Sequence, residues 1–385
     1  MKELKTEFEI IGKTFSGLEE IFSQELKELG AKDVQILKRG IRFAGSKELL
    51  YKVNFKSRLS LRFLVNLISF KAANEKSLYK QIYEYPWENI FSVKNTFFIT
   101  STVNSSFFKH SHYISLRVKD AIADRFRNKT KQRPSVDKSS PHIIIHIHIN
   151  NDICNISLDS SGEPLFKRGY RIAQSHAPLN EVLAAGLIHL SEWDKNDSFI
   201  DFMCGSGTIL IEAALISNNI PPGKFRNRYA FQNWKDYELD LFKSIKNEKI
   251  NSDSFAPVIM GCDVSPDATK IALKNINKAG LSNIVKVQNR NFKNFKPPKK
   301  KGVVIINPPY DIRLKGNNIL LMYKEIGDFI KANYVGFNVW IMSHNLQALK
   351  HIGLKPDKKI VLYNGPLECR FNKYNIFEGS KNNVI

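Results

Sequence analysis

The sequence predicts an α/β protein: an open, mostly parallel sheet that finishes in an antiparallel hairpin, preceded by a smaller α+β region. Three stretches carry that expectation. Val303–Ile306 is a short, wholly apolar, β-branched run, the composition of a strand buried on both faces, and Asn307-Pro308-Pro309-Tyr310 stops it at once. Asp201–Thr208 (DFMCGSGT) is a glycine turn between an apolar run and a helical pattern, the strand-to-helix junction at which α/β sheets hold ligands. Lys359–Tyr363 and Leu367–Asn372 are separated only by Asn364-Gly365-Pro366, too tight a link for a parallel crossover, so they pair antiparallel.

Taken in order, Lys5–Ile11 is a strand candidate, and Ser16–Leu29 carries Leu18, Ile21, Phe22, Leu26 and Leu29 at helical spacing before Gly30. Val34–Phe43 holds two strand-like runs around Arg39-Gly40, and Glu48–Asn54 and Leu59–Ile68 read as helices. This order suggests a ferredoxin-like α+β segment over 1–65. A second module over 66–162 follows, with strands at Thr96–Val103, Pro141–Asn150 and Ile153–Asp159 and a helix at Ser111–Phe126. From 163 to the end the pattern becomes a helix at Pro178–Leu190, capped by Asn180 or Ser175, then a strand at Ser198–Phe202 and a helix at Thr208–Ile216. Asn219–Phe255 interrupts it as a polar and aromatic insertion with a helix at Tyr237–Lys249. Strands at Val258–Asp263, Ile284–Gln288 and Phe337–Met342 and helices at Asp267–Ala279, Ile319–Lys331 and His344–His351 complete the alternation.

A formal net charge of +21 on 385 residues points to a polyanionic partner. The charge is concentrated: between Lys109 and Lys138 nine Lys/Arg face three acids. Arg117, Arg125, Arg127, Lys129, Lys131 and Arg133 are the candidate phosphate contacts there, with Lys167 and Arg168 in the basic connector at 162–171. A solvated helix face is the competing explanation. Met1–Ile10 lacks the apolar core of a signal peptide and no run of 18 apolar residues occurs, so a cytoplasmic protein with no membrane contact is expected. Cys154, Cys204, Cys262 and Cys369 are scattered and form no metal pattern, which predicts reduced thiols and no metal. His142, His146 and His148 alternate along one strand and read as a polar face.

The chemistry concentrates at strand ends. Gly205 and Gly207 allow a tight turn, and Thr208 and the N–H groups after it open a helix. The loop is not GxxxxGK[ST], and Leu210 stands where GxGxxG needs its third glycine. Asp201 before it opposes pyrophosphate and favours a cationic group, as in the sulfonium and ammonium of S-adenosylmethionine. Asp263, after the apolar run VIMGCD, is the acid expected for ribose hydroxyls, its distance from the loop lengthened by the insertion. Asn307, with the Pro308 carbonyl and the Tyr310 ring, suits a planar base bearing an exocyclic amine.

With these residues in view, the chain resembles the class I, S-adenosylmethionine-dependent RNA methyltransferases that carry a THUMP domain, in particular bacterial 23S rRNA guanine-N2 methyltransferases. FKRGYR (Phe166–Arg171), APLNEVLAAGL (Ala177–Leu187), DFMCGSGTILIEAA (Asp201–Ala214), NPPY and NGPLECR (Asn364–Arg370) carry the resemblance, as do SGLEEIFSQELKELG and the Leu78–Ile90 run. It implies a Rossmann-like methyltransferase domain with a seven-stranded sheet after a ferredoxin-like segment and a THUMP RNA-binding module. It further implies Asp201, Met203, Cys204, Gly205, Gly207, Thr208, Asp263 and Val264 around S-adenosylmethionine, with Pro178, Asn180 and Glu181 near its methionine end. Asn307, Pro308 and Tyr310 would hold the target base. The expected partner is ribosomal RNA, 23S or a pre-50S particle, with no obligate protein partner; adenine N6, tRNA guanine N2 and a non-catalytic RNA-binding role are the alternatives. Three departures stand out. Asn291 replaces the acid that relatives often use to accept from the cofactor's adenine amine. Asp311-Ile312-Arg313-Leu314 replaces Gly-Glu-Arg-Leu, with Arg313 a candidate RNA contact. The second methyltransferase unit fused in some relatives is not expected here.

Overall fold

The computed structural model describes residues 7–173, 178–248, 257–297, 301–309 and 317–378, without the side chains of 317 and 318. The expectations at Ser175, Tyr310 and Arg313 therefore lie outside the described residues. The chain divides into two units, one formed by the described parts of Met1–Lys13, Ser23–Leu165 and Arg226–Glu248, the other by Thr14–Phe22, Phe166–Phe225 and Lys249–Ile385.

The first unit is built on β1 (Phe8–Lys13), α1 (Glu19–Glu28, whose first turn belongs to the second unit), β2 (Lys32–Leu37), β3 (Gly40–Gly45), α2 (Lys47–Lys56), β4 (Arg62–Lys71), α3 (Glu75–Glu84), α4 (Trp87–Ile90), β5 (Phe97–Asn104), α5 (Ser111–Thr130), β6 (Ile143–Asn150) and β7 (Ile153–Asp159). Its seven strands form one sheet in the order β2-β3-β1-β4-β7-β6-β5, so the ferredoxin-like segment and the module after it share a continuous ladder. The helix expected over Leu59–Ile68 is instead β4, the strand that joins them. It bonds β1 along one edge and β7 along the other. Phe63, Leu64 and Val65 are all buried. With three consecutive residues buried and a register shift between Asn66 and Ile68, the run lacks period-two alternation, which leaves it looking helical in one dimension. Helix α5 runs one turn beyond Phe126 and ends at Lys131 in the left-handed region, φ 58°.

In the second unit α6 (Glu181–Leu190), β8 (Ser198–Asp201) and α7 (Thr208–Ser217) come first. The chain then contributes residues 226–248, including α8 (Leu239–Asn247), to the first unit. There Tyr229, Phe231, Tyr237 and Phe242 gather around Tyr51 of α2, with Tyr51 and Phe231 stacked at 4.3 Å. The insertion is thus an aromatic clasp, its contribution set by the large apolar area of its rings.

After it come β9 (Ile259–Asp263), α9 (Pro266–Lys278), β10 (Val285–Asn289), β11 (Gly302–Ile306), α10 (Asn317–Asn333), β12 (Phe337–Ser343), α11 (Leu346–Lys350), β13 (Lys358–Asn364) and β14 (Leu367–Asn375). The sheet order is β10-β9-β8-β11-β12-β14-β13, parallel until β14 enters antiparallel to β12. Every residue of β11 is buried, as its apolar run requires. The chain steps outward from β8 to β9 and β10, then returns to the other side of β8 with β11. That reversal opens a crevice at the carboxyl ends of the strands. No helix among the described residues is long and apolar enough to cross a membrane.

Candidate active site

A cavity of about 770 Å³ lies along these strand ends. Asp201 is the last residue of β8 and is 1% exposed. Its Oδ1 accepts the Met203 N–H at 3.1 Å, but burial, with the Asp263 charge adding to it, pushes its carboxyl up to about 8. Asp263 closes β9 differently: Oδ2 accepts the Gly205 N–H and Oδ1 the Ser265 N–H, both at 2.9 Å. Gly205 and Gly207 stand at φ 53° and 82°, which side-chain-bearing residues rarely adopt, and Gly207 leads into α7. Two acids on adjacent strands thus face one loop, one satisfied by backbone donors and one nearly without them.

Pro178, Asp201, Met203, Cys204, Gly205, Thr208, Asp263, Val264, Asn291, Asn307 and Pro308 all line this cavity, so the sequence motifs do meet. Val264 is 69% exposed, an apolar surface at the rim. The Asn291 Oδ1 already accepts the Lys293 N–H at 3.0 Å. Three expected cofactor contacts do not line the cavity. Asn180 caps α6 by accepting the Val182 N–H at 2.9 Å. Glu181 is buried against Arg171, Nε to Oε1 2.8 Å. Gly207 shapes the turn from behind.

Arg171 was not singled out by the sequence, yet it joins the two walls of the cavity. Nη1 donates to Ser206 Oγ (3.2 Å), and Nη2 to Thr208 Oγ1 (2.9 Å) and the Leu179 carbonyl (3.0 Å). Only a planar five-donor fork spans such a set. Its neighbour Arg168 was expected to face RNA. It is instead 2% exposed beside Glu212, whose Oε1 also accepts the Tyr170 hydroxyl at 2.9 Å. FKRGYR is therefore mainly an internal clip that fixes α7 and its loop; Lys167 alone of its basic trio is exposed. Also unforeseen are His344, after β12, and Asn364 and Leu367, at the hairpin tip, which line the far end of the cavity. The strand-end rule that selected Asp201 applies equally to His344.

In the first unit, Arg117, Arg127 and Arg133 come together with Tyr79, Asp120 and Asp124 around a concavity of about 370 Å³. The Arg117 guanidinium lies 5.0 Å from the centre of the Tyr79 ring. Lys129 and Lys131 are exposed at the end of α5. Arg125 departs from the expectation: it grips Glu88 through two nitrogens (2.7 and 2.6 Å) and the Tyr83 and Glu84 carbonyls, so it ties α5 to the preceding helices. His142 and His146 bond across the strands to Thr96 and Thr100.

Comparison with known proteins agrees with this geometry. Family models match residues 9–64 (RlmL ferredoxin-like domain), 72–159 (THUMP domain) and 168–373 (RMKL-like, methyltransferase domain). The Synechocystis sp. protein slr0064, whose name proposes an RNA methyltransferase, is 38% identical over 94% of this chain and 95% of its own. The ribosomal RNA large subunit methyltransferase K/L of Psychromonas ingrahamii is 34% identical over 94% of this chain, which spans 49% of that longer protein. Among solved structures, SMU.472, a proposed methyltransferase with SAH bound, superposes with a TM-score of 0.87 at 30% identity, covering 98% of this chain and 100% of that one. A Listeria monocytogenes protein named as a predicted N6-adenine-specific DNA methylase superposes with a TM-score of 0.86 at 27% identity, over 96% of each chain. The fold and site define a class I, S-adenosylmethionine-dependent RNA methyltransferase. The chain belongs to the RMKL-like family, with a THUMP domain ahead of its methyltransferase domain.

Two outcomes follow. Because folding raises the Asp201 pKa, its contribution to stability is full below the ordinary carboxylate range and is lost as pH rises through about 8. Asp201→Asn should raise the melting temperature of the ligand-free protein, by roughly 2–4 °C per kcal/mol recovered, and more at pH 8 than at pH 5. The same variant should bind S-adenosylmethionine at least ~10-fold more weakly, since a charged hydrogen bond is lost; calorimetry beside a pH series of melting curves checks both. Arg171→Lys keeps the charge but cannot span the four acceptors, so cofactor affinity should fall roughly 10-fold while circular dichroism stays unchanged.

Proposed function

We propose that the protein transfers a methyl group from S-adenosylmethionine to the exocyclic N2 amine of a guanine in large-subunit, 23S ribosomal RNA. The observation that carries this reading is one cavity lined both by the glycine turn with its buried acid and by Asn307 and Pro308. The relatives named K/L methyltransferases favour ribosomal RNA, although this chain spans about half their length.

The cofactor supplies an electrophilic methyl group on a sulfonium. Asp201 fits a cationic ligand because its carboxyl is buried with a single backbone donor among the described residues and gains a partner when it ionises beside positive charge. Asp263 keeps lone pairs for ribose hydroxyls while its two oxygens hold the loop. A guanine N2 lone pair is delocalised into the ring and is a poor nucleophile. Asn307 Oδ1 and the Pro308 carbonyl accept its hydrogens and favour the tetrahedral nitrogen that attack requires. No strong base is needed, because the nitrogen becomes acidic as the new bond forms. Arg117, Arg127 and Arg133, with Lys129 and Lys131, supply phosphate contacts.

Adenine N6 is the second reading, favoured by the name of the Listeria neighbour, and the same two acceptors would serve it. Methyl transfer into ribosomal RNA from cells lacking the gene, followed by nucleoside mass spectrometry and mapping, separates them: N2-methylguanosine is expected, and N6-methyladenosine alone would overturn the guanine assignment. A non-catalytic role predicts no transfer at all.

Asn307→Ala should lower the transfer rate by about 10²-fold or more with cofactor affinity little changed, the scale of losing one oriented hydrogen-bonding group; equal single-turnover rates would remove its role. Replacing Arg117, Arg127 and Arg133 together by Ala should weaken RNA binding and flatten its salt dependence by about 0.7–0.9 per lost phosphate contact. Arg125→Ala should leave the salt slope intact and lower thermal stability instead, because it strands Glu88.

A further inference from the structure

The far end of the cavity contains an amide that the mechanism above does not use. In the register of β14 against β12, Arg370 sits opposite Ser343, the last residue of β12. Leu367–Cys369 and their β13 partners therefore overhang the strand ends by roughly 10 Å, at about 3.4 Å per residue. Asn364 and Leu367 pair across the tip of that overhang, closed by Gly365 at φ 63° and by Pro366. Both line the cavity that also contains Asn307, on the side of β11 away from the glycine turn. The tip thus offers an apolar side chain and a primary amide together, which suits the face and the edge of a heteroaromatic ring. The Asn364 side chain, half-exposed, makes no hydrogen bond to any other described residue.

We propose that Asn364 is a specificity-determining residue that reads the N1–O6 edge of the target guanine. This rests on the guanine-N2 reading and extends it. A purine whose amine is held by Asn307 and Pro308 presents N1 as the next atom along its edge. In guanine that position is an N1–H donor followed by the O6 acceptor. The amide matches both, with Oδ1 accepting from N1–H and Nδ2 donating to O6. Adenine held by N6 presents an N1 acceptor followed by C2–H, so only one of the two bonds forms. One bidentate amide pair discriminates between bases by about 10- to 100-fold. Asn307 selects for an exocyclic amine, and Asn364 decides which purine carries it.

The test uses an RNA fragment containing the mapped target, made once with guanine and once with 2-aminopurine at that position. 2-Aminopurine keeps the N2 amine but replaces N1–H by an acceptor and O6 by C6–H, so the amide makes only one bond in either orientation. The parent protein should prefer guanine by about 10- to 100-fold in kcat/KM. In Asn364→Ala, and in Asn364→Ser run in parallel, that ratio should fall toward one while cofactor affinity measured by calorimetry is unchanged. A parent ratio near one, or a ratio that both variants leave intact, overturns the assignment of Asn364. A parent that methylates adenine N6 and no guanine removes the underlying reading as well, so the two failures are distinguishable.

Discussion

The guanidinium of Arg171 is the interaction on which the catalytic half depends. The glycine turn after β8 and the turn before α6 are separate pieces of chain, and nothing in either sequence dictates their spacing. Arg171 sets it through four acceptors: the Glu181 carboxylate, the Leu179 carbonyl, Ser206 Oγ and Thr208 Oγ1. Glu181 is buried, and a buried carboxylate without its cation is strongly destabilising, so the bridge and the helix it enters stand or fall together. Behind it, Glu212 holds Tyr170 and Arg168 and fixes the same motif to the middle of α7. Local rigidity here is electrostatic as much as hydrophobic.

The second constraint is topological. Parallel strands that end together leave their carboxyl-terminal residues in one row, and reversal of the strand order at β8 and β11 opens that row to a ligand. Asp201 and Asp263 end two strands of that row and Asn307 follows a third, so their convergence needs no long-range coincidence. The antiparallel β14 adds something a parallel strand at the same place would not. Its hairpin projects past the row, carrying Asn364 and Leu367 over the end that lies beyond Asn307.

Much of this was legible in the residues. The buried run at 303–306, the glycine turn and the final hairpin each have a local physical cause, and they appear where their chemistry requires. Illegibility began where the cause was non-local. Leu59–Ile68 carries enough leucine, valine and isoleucine for either helix or strand. Only its two hydrogen-bonded edges, against β1 and β7, decide for the strand. Arg125 and Arg168 looked like phosphate ligands because a linear reading shows charge and hides partners. Glu88 and Glu212, the acids that claim them, lie 37 and 44 positions away in sequence, which no helical spacing reveals. The aromatic residues at 229–242 marked the insertion as something that packs, without showing that Tyr51 is what they pack on.

The unequal acids at the strand ends link architecture to catalysis most directly. Asp263 is served by two backbone N–H groups, so its job of fixing the loop is complete without a ligand. Asp201 is more deeply buried and has one among the described residues, and burial pushes its carboxyl up to about 8, far above the ordinary carboxylate range. Exchanging a serving donor for burial costs stability in the free protein and makes ionisation contingent on an incoming positive charge. The stored cost is returned only to a cationic ligand; a neutral or anionic one of the same shape would leave it standing. In the function proposed above, discrimination for the cofactor's charge would then rest on this one side chain at the end of β8, ahead of any contact with the base to be modified.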